Sequence, residues 1–176
     1  MRIIAGEFRS RRLKAVPGRQ VRPTSDRLRE TLFNVLGARV RGAVFVDAYA
    51  GSGAIGLEAI SRGASLAVFI EASRAALSTL RANIAALDVH ERVQVIEGKV
   101  DACLTCLGVN PDIIFIDPPY SDVQEYDKCF EIISLCRYPA LVVAEHSRKG
   151  ALPPCSLRRI RLLQQGDSAL SFYTLE

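Results

Sequence analysis

Among its 176 residues the chain has no tryptophan, one methionine, two histidines and five cysteines. The cysteines, Cys103, Cys106, Cys129, Cys136 and Cys155, are odd in number, and only Cys103 and Cys106 form a close pair. With no second pair and no Cys/His cluster at ligand spacing, neither a zinc site nor a disulfide framework is expected, and the thiols read as reduced. No apolar run approaches the roughly 18–20 residues that cross a bilayer. The opening Met1-Arg2-Ile3-Ile4-Ala5-Gly6-Glu7 also lacks the sustained apolar stretch of a secretory leader. These absences point to a cytoplasmic protein with no membrane contact, no metal and no redox centre. A hydrophobic content of 49% with 24% charged residues fits one ordinary globular domain with room for a short appendage.

Charge is present but unevenly placed. Residues 1–41 hold eleven Arg or Lys against Glu7, Asp26 and Glu30, a net of +8, while the rest of the chain carries −4. A basic segment joined to a mildly acidic body suits a polyanion-binding arm on a catalytic unit. Ten of the eleven basic residues are arginine, whose planar fork matches phosphate bidentately. Two regions are therefore expected, a basic hairpin and helix extension over 1–41 and a catalytic domain over 42–176.

Residues 2–22, with the turn-prone Pro17-Gly18, read as a β-hairpin or extended arm. Thr24 and Ser25 can cap a helix that places Leu28, Leu32, Phe33 and Leu36 on one face and ends at Gly37. Five apolar runs follow, Ala43–Val46, Leu66–Ile70, Val93–Ile96, Ile113–Ile116 and Ala140–Ala144, with helix-like stretches between them. That alternation predicts βαβ units around a parallel sheet buried on both faces. Leu157–Leu163 and Ala169–Leu175, joined around Gln165-Gly166-Asp167, read as a hairpin closing one sheet edge.

Four of the five parallel strands lead into an acid, Asp47, Glu71, Asp117 or Glu145, and ligands of open α/β sheets bind at the carboxyl ends of the strands. After Asp47 comes Ala48-Tyr49-Ala50-Gly51-Ser52-Gly53-Ala54-Ile55-Gly56, which satisfies the GxGxxG pattern of dinucleotide sites. In those sites, however, the first glycine stands at the strand end so that pyrophosphate reaches the helix N-terminus. Here a carboxylate and three residues intervene. Asp47 would repel pyrophosphate but suits a cofactor bearing an ammonium and a sulfonium, S-adenosylmethionine, with Glu71 placed to hydrogen-bond its ribose hydroxyls. The fourth strand runs into Asp117-Pro118-Pro119-Tyr120. Two consecutive prolines stiffen that loop and remove two donors. The Asp117 carboxylate and Pro118 carbonyl can accept both N–H groups of an exocyclic amine while Tyr120 stacks on the base. Catalysis would then be chiefly orientation of the amine for in-line methyl transfer.

These two loops resemble the class I S-adenosylmethionine methyltransferases. Arg2-Ile3-Ile4-Ala5-Gly6, Arg22-Pro23-Thr24, Asp26-Arg27-Leu28-Arg29-Glu30 with Leu32-Phe33-Asn34, and Ala50 to Ala59 are similar to the bacterial family that methylates N2 of guanine 966 in 16S ribosomal RNA. The resemblance covers nearly the whole chain. It implies a Rossmann-like α/β fold, a seven-stranded, mostly parallel sheet with helices on both faces and a reversed final strand. It also implies a cofactor pocket at Asp47, Ala50, Gly51, Ser52, Gly53 and Glu71, with catalysis at Asp117, Pro118, Pro119 and Tyr120. Arg2, Arg9, Arg11, Arg12, Arg22, Thr24, Arg27 and Arg29 are implied to meet ribosomal RNA or an assembling small subunit, with the enzyme acting as a monomer. Two positions depart from the family. Lys99 stands where relatives place an acid or amide for the adenine amine, leaving Asp101 or backbone groups for that role, and Ala48-Tyr49 replaces Leu-Phe. His90 and His146 are expected to be bystanders. The alternatives are an adenine-N6 or glutamine-N5 methyltransferase, a nicotinamide-dependent oxidoreductase, and a non-catalytic RNA-binding module.

Overall fold

The short apolar runs alternate their side chains between two cores. The computed structural model describes residues 1–17, 26–118 and 123–175. Among them, seven strands form one sheet in the order β3-β2-β1-β4-β5-β7-β6. The strands are β1 (Val44–Asp47), β2 (Leu66–Glu71), β3 (Val93–Glu97), β4 (Ile113–Ile116), β5 (Leu141–Ser147), β6 (Arg158–Gln165) and β7 (Ser168–Thr174). The first five run parallel, and β7 pairs antiparallel with both β5 and β6. This is the Rossmann-like sheet with a reversed final strand.

Successive residues of a strand face opposite ways, and the cores divide accordingly. Phe45, Phe69, Phe115, Val143 and Phe172 pack on one face with α1 (Asp26–Leu36), α2 (Ala54–Ser61) and α3 (Arg74–Leu87). Val46, Val68, Ile114, Ile116 and Val142 pack on the other with α4 (Val100–Leu104) and α5 (Val123–Leu135). Helices therefore cover both faces. As expected, α1 buries Leu28, Leu32, Phe33 and Leu36, and it stops where Gly37 takes a φ of 55°. Its proposed cap, Thr24 and Ser25, lies outside the described residues.

Three details differ from the sequence expectation. Glu145 is not a strand end, because antiparallel pairing with β7 carries β5 on to Ser147; Glu145 faces Leu170 in that ladder and is buried. The helix expected near 100–108 is only Val100–Leu104. Among the described residues the N-terminal hairpin has a single bridge, Arg2 to Arg12, and no paired strands. Nor does it stand away from the body as an arm. Ile3 and Leu13 join the same core as α1 and Phe45. Gly6, at a φ of 85°, brings the hairpin so close to α2 that a Cβ there would lie 1.8 Å from the Ser61 carbonyl oxygen.

Candidate active site

The switch in strand order falls between β2-β1 and β4-β5, with β1 paired to both β2 and β4. Asp47, the last residue of β1, is level with Phe69 of β2 and Phe115 of β4. The loop that follows is threaded between those neighbours: the Ala48 amide donates to the Phe115 carbonyl (2.9 Å) and the Ala50 amide to the Ile70 carbonyl (3.1 Å). The chain then turns through Gly51 and Gly53, both at positive φ, into α2. A side chain at Gly53 would strike Leu80, and one at Gly56 would strike Phe69. Gly51 is different, since a Cβ there would project into open space. Two of the three glycines thus serve packing of α2, and one leaves room at the sheet edge.

Two carboxylates flank this loop. Asp47 is buried, and its Oδ2 accepts the Gly56 amide in the first turn of α2 at 3.0 Å. Burial pushes its carboxyl up to about 7; the Gly56 hydrogen bond pulls the other way and the charge of Glu71 adds to the rise. Glu71 ends β2 and holds three amides, with Oε2 accepting from Gly51 (2.8 Å) and Oε1 from Ala72 (3.0 Å) and Ser73 (2.8 Å). The sequence placed Glu71 against ribose hydroxyls; the structure shows it already anchoring the glycine loop. Its two oxygens have further lone pairs, so both roles are compatible.

Asp101 lies in the first turn of α4, where its Oδ1 accepts the Ala102 amide at 2.8 Å. Its charge contributes a small rise at Glu125 and Cys129 of α5, the helix against which α4 packs. Lys99 precedes α4 as its cap residue and is exposed. Tyr49, the departure from the usual Leu-Phe, is put to use: its hydroxyl donates to Glu125 Oε2 (2.9 Å) and lies 3.4 Å from Cys129 Sγ. The loop after β1 is thereby tied to α5, which begins just beyond the proline loop. Of that loop, Asp117 is half-buried and Pro118 is buried at the carboxyl end of β4; Pro119 and Tyr120 lie outside the described residues.

The basic segment divides on inspection. Arg2, Arg9, Arg11, Arg12 and Arg27 are exposed, with Arg11 Nη2 donating to the Ala86 carbonyl (2.8 Å); Arg22 and Thr24 lie outside the described residues. Arg29 corrects the expectation. It is fully buried, and its Nη2 donates to the Arg2 carbonyl (2.6 Å) and to Asp26 Oδ1 (2.9 Å). It props the hairpin from beneath, where a helical position one turn from Asp26 and beside Leu28 puts it on the apolar face.

Sequence reasoning missed three positioning side chains. Glu58, fully buried in α2, accepts the Ile4 (2.7 Å) and Ala5 (3.0 Å) amides and pairs with Arg62. Ser61 Oγ donates to the Ala5 carbonyl and accepts the Phe8 amide. Asn83 accepts the Lys14 amide (2.8 Å), and its Nδ2 donates to the Ser52 carbonyl (2.9 Å) and the Lys14 carbonyl (3.1 Å). An acid at the fifth position of an otherwise apolar helix, Ala54–Ser61, was the available signal for Glu58. Asn83 offers none, since its partners are 31 and 69 residues away.

Residues 1–174 match the family described as Conserved hypothetical protein 95. The chain belongs to that family. It is 42% identical over 155 residues to the Escherichia coli K12 protein named Ribosomal RNA small subunit methyltransferase D, covering 87% of this chain and 78% of the relative. The solved Escherichia coli protein yhhF superposes with a TM-score of 0.85 at 35% identity, over 100% of this chain and 98% of that one. A methyltransferase from Geobacter sulfurreducens shares the fold at a TM-score of 0.66 and 18% identity, over 86% of this chain and 80% of that one.

Proposed function

We propose that this enzyme transfers a methyl group from S-adenosylmethionine to the exocyclic N2 amine of a guanine in small-subunit ribosomal RNA. The observation that carries this is the meeting of two loops across the β1/β4 switch point: the Asp47–Gly53 turn with its flanking carboxylates, and Asp117-Pro118 at the end of β4. The name of the 42% identical relative supports the ribosomal RNA target.

The donor set fits the cofactor. Two carboxylates, one buried with a raised pKa, surround a loop in which Gly51 faces open space; a cationic ligand relieves the charge that this arrangement concentrates. Asp47, Ala50, Gly51, Ser52, Gly53 and Glu71 would hold it, with Asp101 toward the adenine side. When bound, the cofactor supplies an electrophilic methyl group on a sulfonium. The chain's part is to present the amine. The Asp117 carboxylate and Pro118 carbonyl accept its two N–H bonds and turn the nitrogen lone pair toward the cofactor crevice, while Tyr120 stacks on the base. Asp117 also stabilises the positive charge that grows on the nitrogen as its bond forms. Arg2, Arg9, Arg11, Arg12, Arg22 and Arg27 hold RNA phosphates, with Thr24 alongside them.

The test is transfer of labelled methyl groups to ribosomal RNA, followed by mass-spectrometric mapping of the modified base. Asp117→Ala is expected to lower turnover at least a hundredfold, the scale of removing one such electrostatic contact, while S-adenosylhomocysteine binding measured by calorimetry survives. Transfer that persists in this variant assigns the amine acceptor elsewhere.

A further inference from the structure

At the opposite, amino-terminal edge of the sheet lies a groove of about 580 Å³. Its floor is formed by the starts of β4 and β5, with Pro139 and the exposed Ile160 beside them. Three arginines, Arg39, Arg41 and Arg158, line it, and all are exposed. Among the described residues its one acid is Asp112, whose Oδ2 accepts the Val44 amide at 2.8 Å. Elsewhere on the surface Arg81 and Arg92 each meet a glutamate within 3.2 Å. Among the described residues, Arg39, Arg41 and Arg158 meet no carboxylate within 4.0 Å.

We propose that this groove is a second RNA-binding site, which takes phosphates of a single-stranded segment distant from the methylated base. The proposal rests on the RNA reading given above and extends it to a face that the reading does not use. Three like charges converging on one concavity repel one another unless a polyanion joins them. Arginine forks suit phosphate oxygens, and their planes can stack on an unpaired base. Arg39 and Arg41 follow α1, whereas Arg158 opens β6, so the site is assembled by the fold and not by a run of basic residues. The strands between this groove and the Asp117 loop span roughly 13–23 Å at about 3.3 Å per residue. At about 3.4 Å per base pair that distance is roughly four to seven pairs, so a hairpin stem kept to about three pairs and seated at the Asp117 loop ends short of the groove, whereas a longer folded RNA reaches it.

The test compares wild type with the combined Arg39→Gln, Arg41→Gln, Arg158→Gln variant on two probes, a full-length small-subunit ribosomal RNA transcript and a short hairpin excised around the methylated base. On the long RNA, the slope of log affinity against log salt should fall by about 2–3, since each lost phosphate contact removes about 0.7–0.9. On the hairpin, slope and turnover should stay as in wild type. An unchanged slope on the long RNA overturns the proposal. An equal fall on both probes also overturns it, because the arginines then act as general charge. Slopes are read without turnover, so a wild-type enzyme that methylates neither probe sinks the proposed function while leaving this comparison readable.

Discussion

Asp47 is ionised only against resistance, since the surroundings that position it also desolvate it. Its carboxyl rises from 3.8 to about 7, through burial first, against the pull of the Gly56 amide, with the charge of Glu71 adding to the rise. A raised pKa means that the folded state holds its proton more tightly than the unfolded chain. The contribution to stability is therefore fully present below the ordinary value and is lost as pH rises through about 7. Thermal melting of the ligand-free protein should show this as a decline between about pH 4 and 7 that Asp47→Asn removes, because an asparagine oxygen can still accept the Gly56 amide without titrating. Equal slopes in the two proteins would place the titration on another group. Arg29 illustrates the other side of residue-scale reading. It stands in a charged stretch, Asp26-Arg27-Leu28-Arg29-Glu30, and the resemblance put it with the RNA-facing arginines, but the period of α1 turns it inward with Leu28 and Leu32. What composition cannot weigh is a backbone carbonyl 27 residues away that accepts the buried guanidinium.

At the scale of elements, α2 is the platform for the basic hairpin. Glu58 satisfies two hairpin amides at once, and a buried carboxylate removed from such a set leaves its partners exposed to desolvation. Glu58→Ala should cost about 3 kcal/mol by denaturant unfolding and should release the Ile4 and Ala5 amides to rapid hydrogen exchange. Retained protection at both amides would mean that Ile3, Leu13 and Ser61 suffice to dock the hairpin. The β5–β7 ladder carries a second titratable group. His146 Nδ1 lies 2.9 Å from the Ser147 carbonyl and Nε2 2.9 Å from Ser171 Oγ. A neutral ring donating from Nδ1 and accepting the serine hydroxyl satisfies both. Burial lowers its pKa below the ordinary 6.5, outweighing the raising effect of the Ser147 and Gly150 backbone; the charge of Arg159 lowers it further. Its share of stability is present above 6.5 and is lost as pH falls through the lowered value. A ring-proton NMR titration with a midpoint at or above 6.5 would contradict this. Strands and helices were legible because alternating apolar faces and turn residues repeat locally along the chain. The end of β5 was not: pairing with β7, whose partners Leu170, Ala169 and Ser168 lie 21–25 residues further along the chain, extends it past Glu145. The hairpin was read as an arm because its charges are local, whereas Glu58 and Asn83, which hold it down, belong to α2 and α3.

For the whole molecule, six exposed arginines among the described residues of 1–41 divide between two surfaces. Arg2, Arg9, Arg11 and Arg12 lie on the hairpin docked against α2, and Arg39 and Arg41 reach the groove at the amino edge of the sheet, where Arg158 joins them. Charge counted along the chain showed the excess but not its division. The catalytic edge was legible for a different reason, since the carboxyl ends of parallel strands converge wherever the fold is doubly wound. Asp47, Glu71 and Asp117 therefore shared one edge before any contact was known. The linkage between this edge and the hairpin was invisible, because it joins residues far apart in sequence: Asn83 to the Ser52 carbonyl, and the Ser52 hydroxyl to Met1 Sδ at 3.8 Å.

Asn83 grips the Lys14 backbone with one hand and the Ser52 carbonyl with the other. A side chain shared in this way makes two ligands thermodynamic neighbours. If occupancy of the glycine turn tightens the segment bearing the arginines by some factor, RNA must tighten the cofactor by the same factor. Titrating S-adenosylhomocysteine with and without RNA, then RNA with and without S-adenosylhomocysteine, should return equal coupling in both directions, and Asn83→Ala should reduce both toward unity together. Coupling that survives this substitution would assign the communication to another path. Methyl donor and nucleic acid would then be recognised jointly, so that either one arriving first prepares the protein for the other.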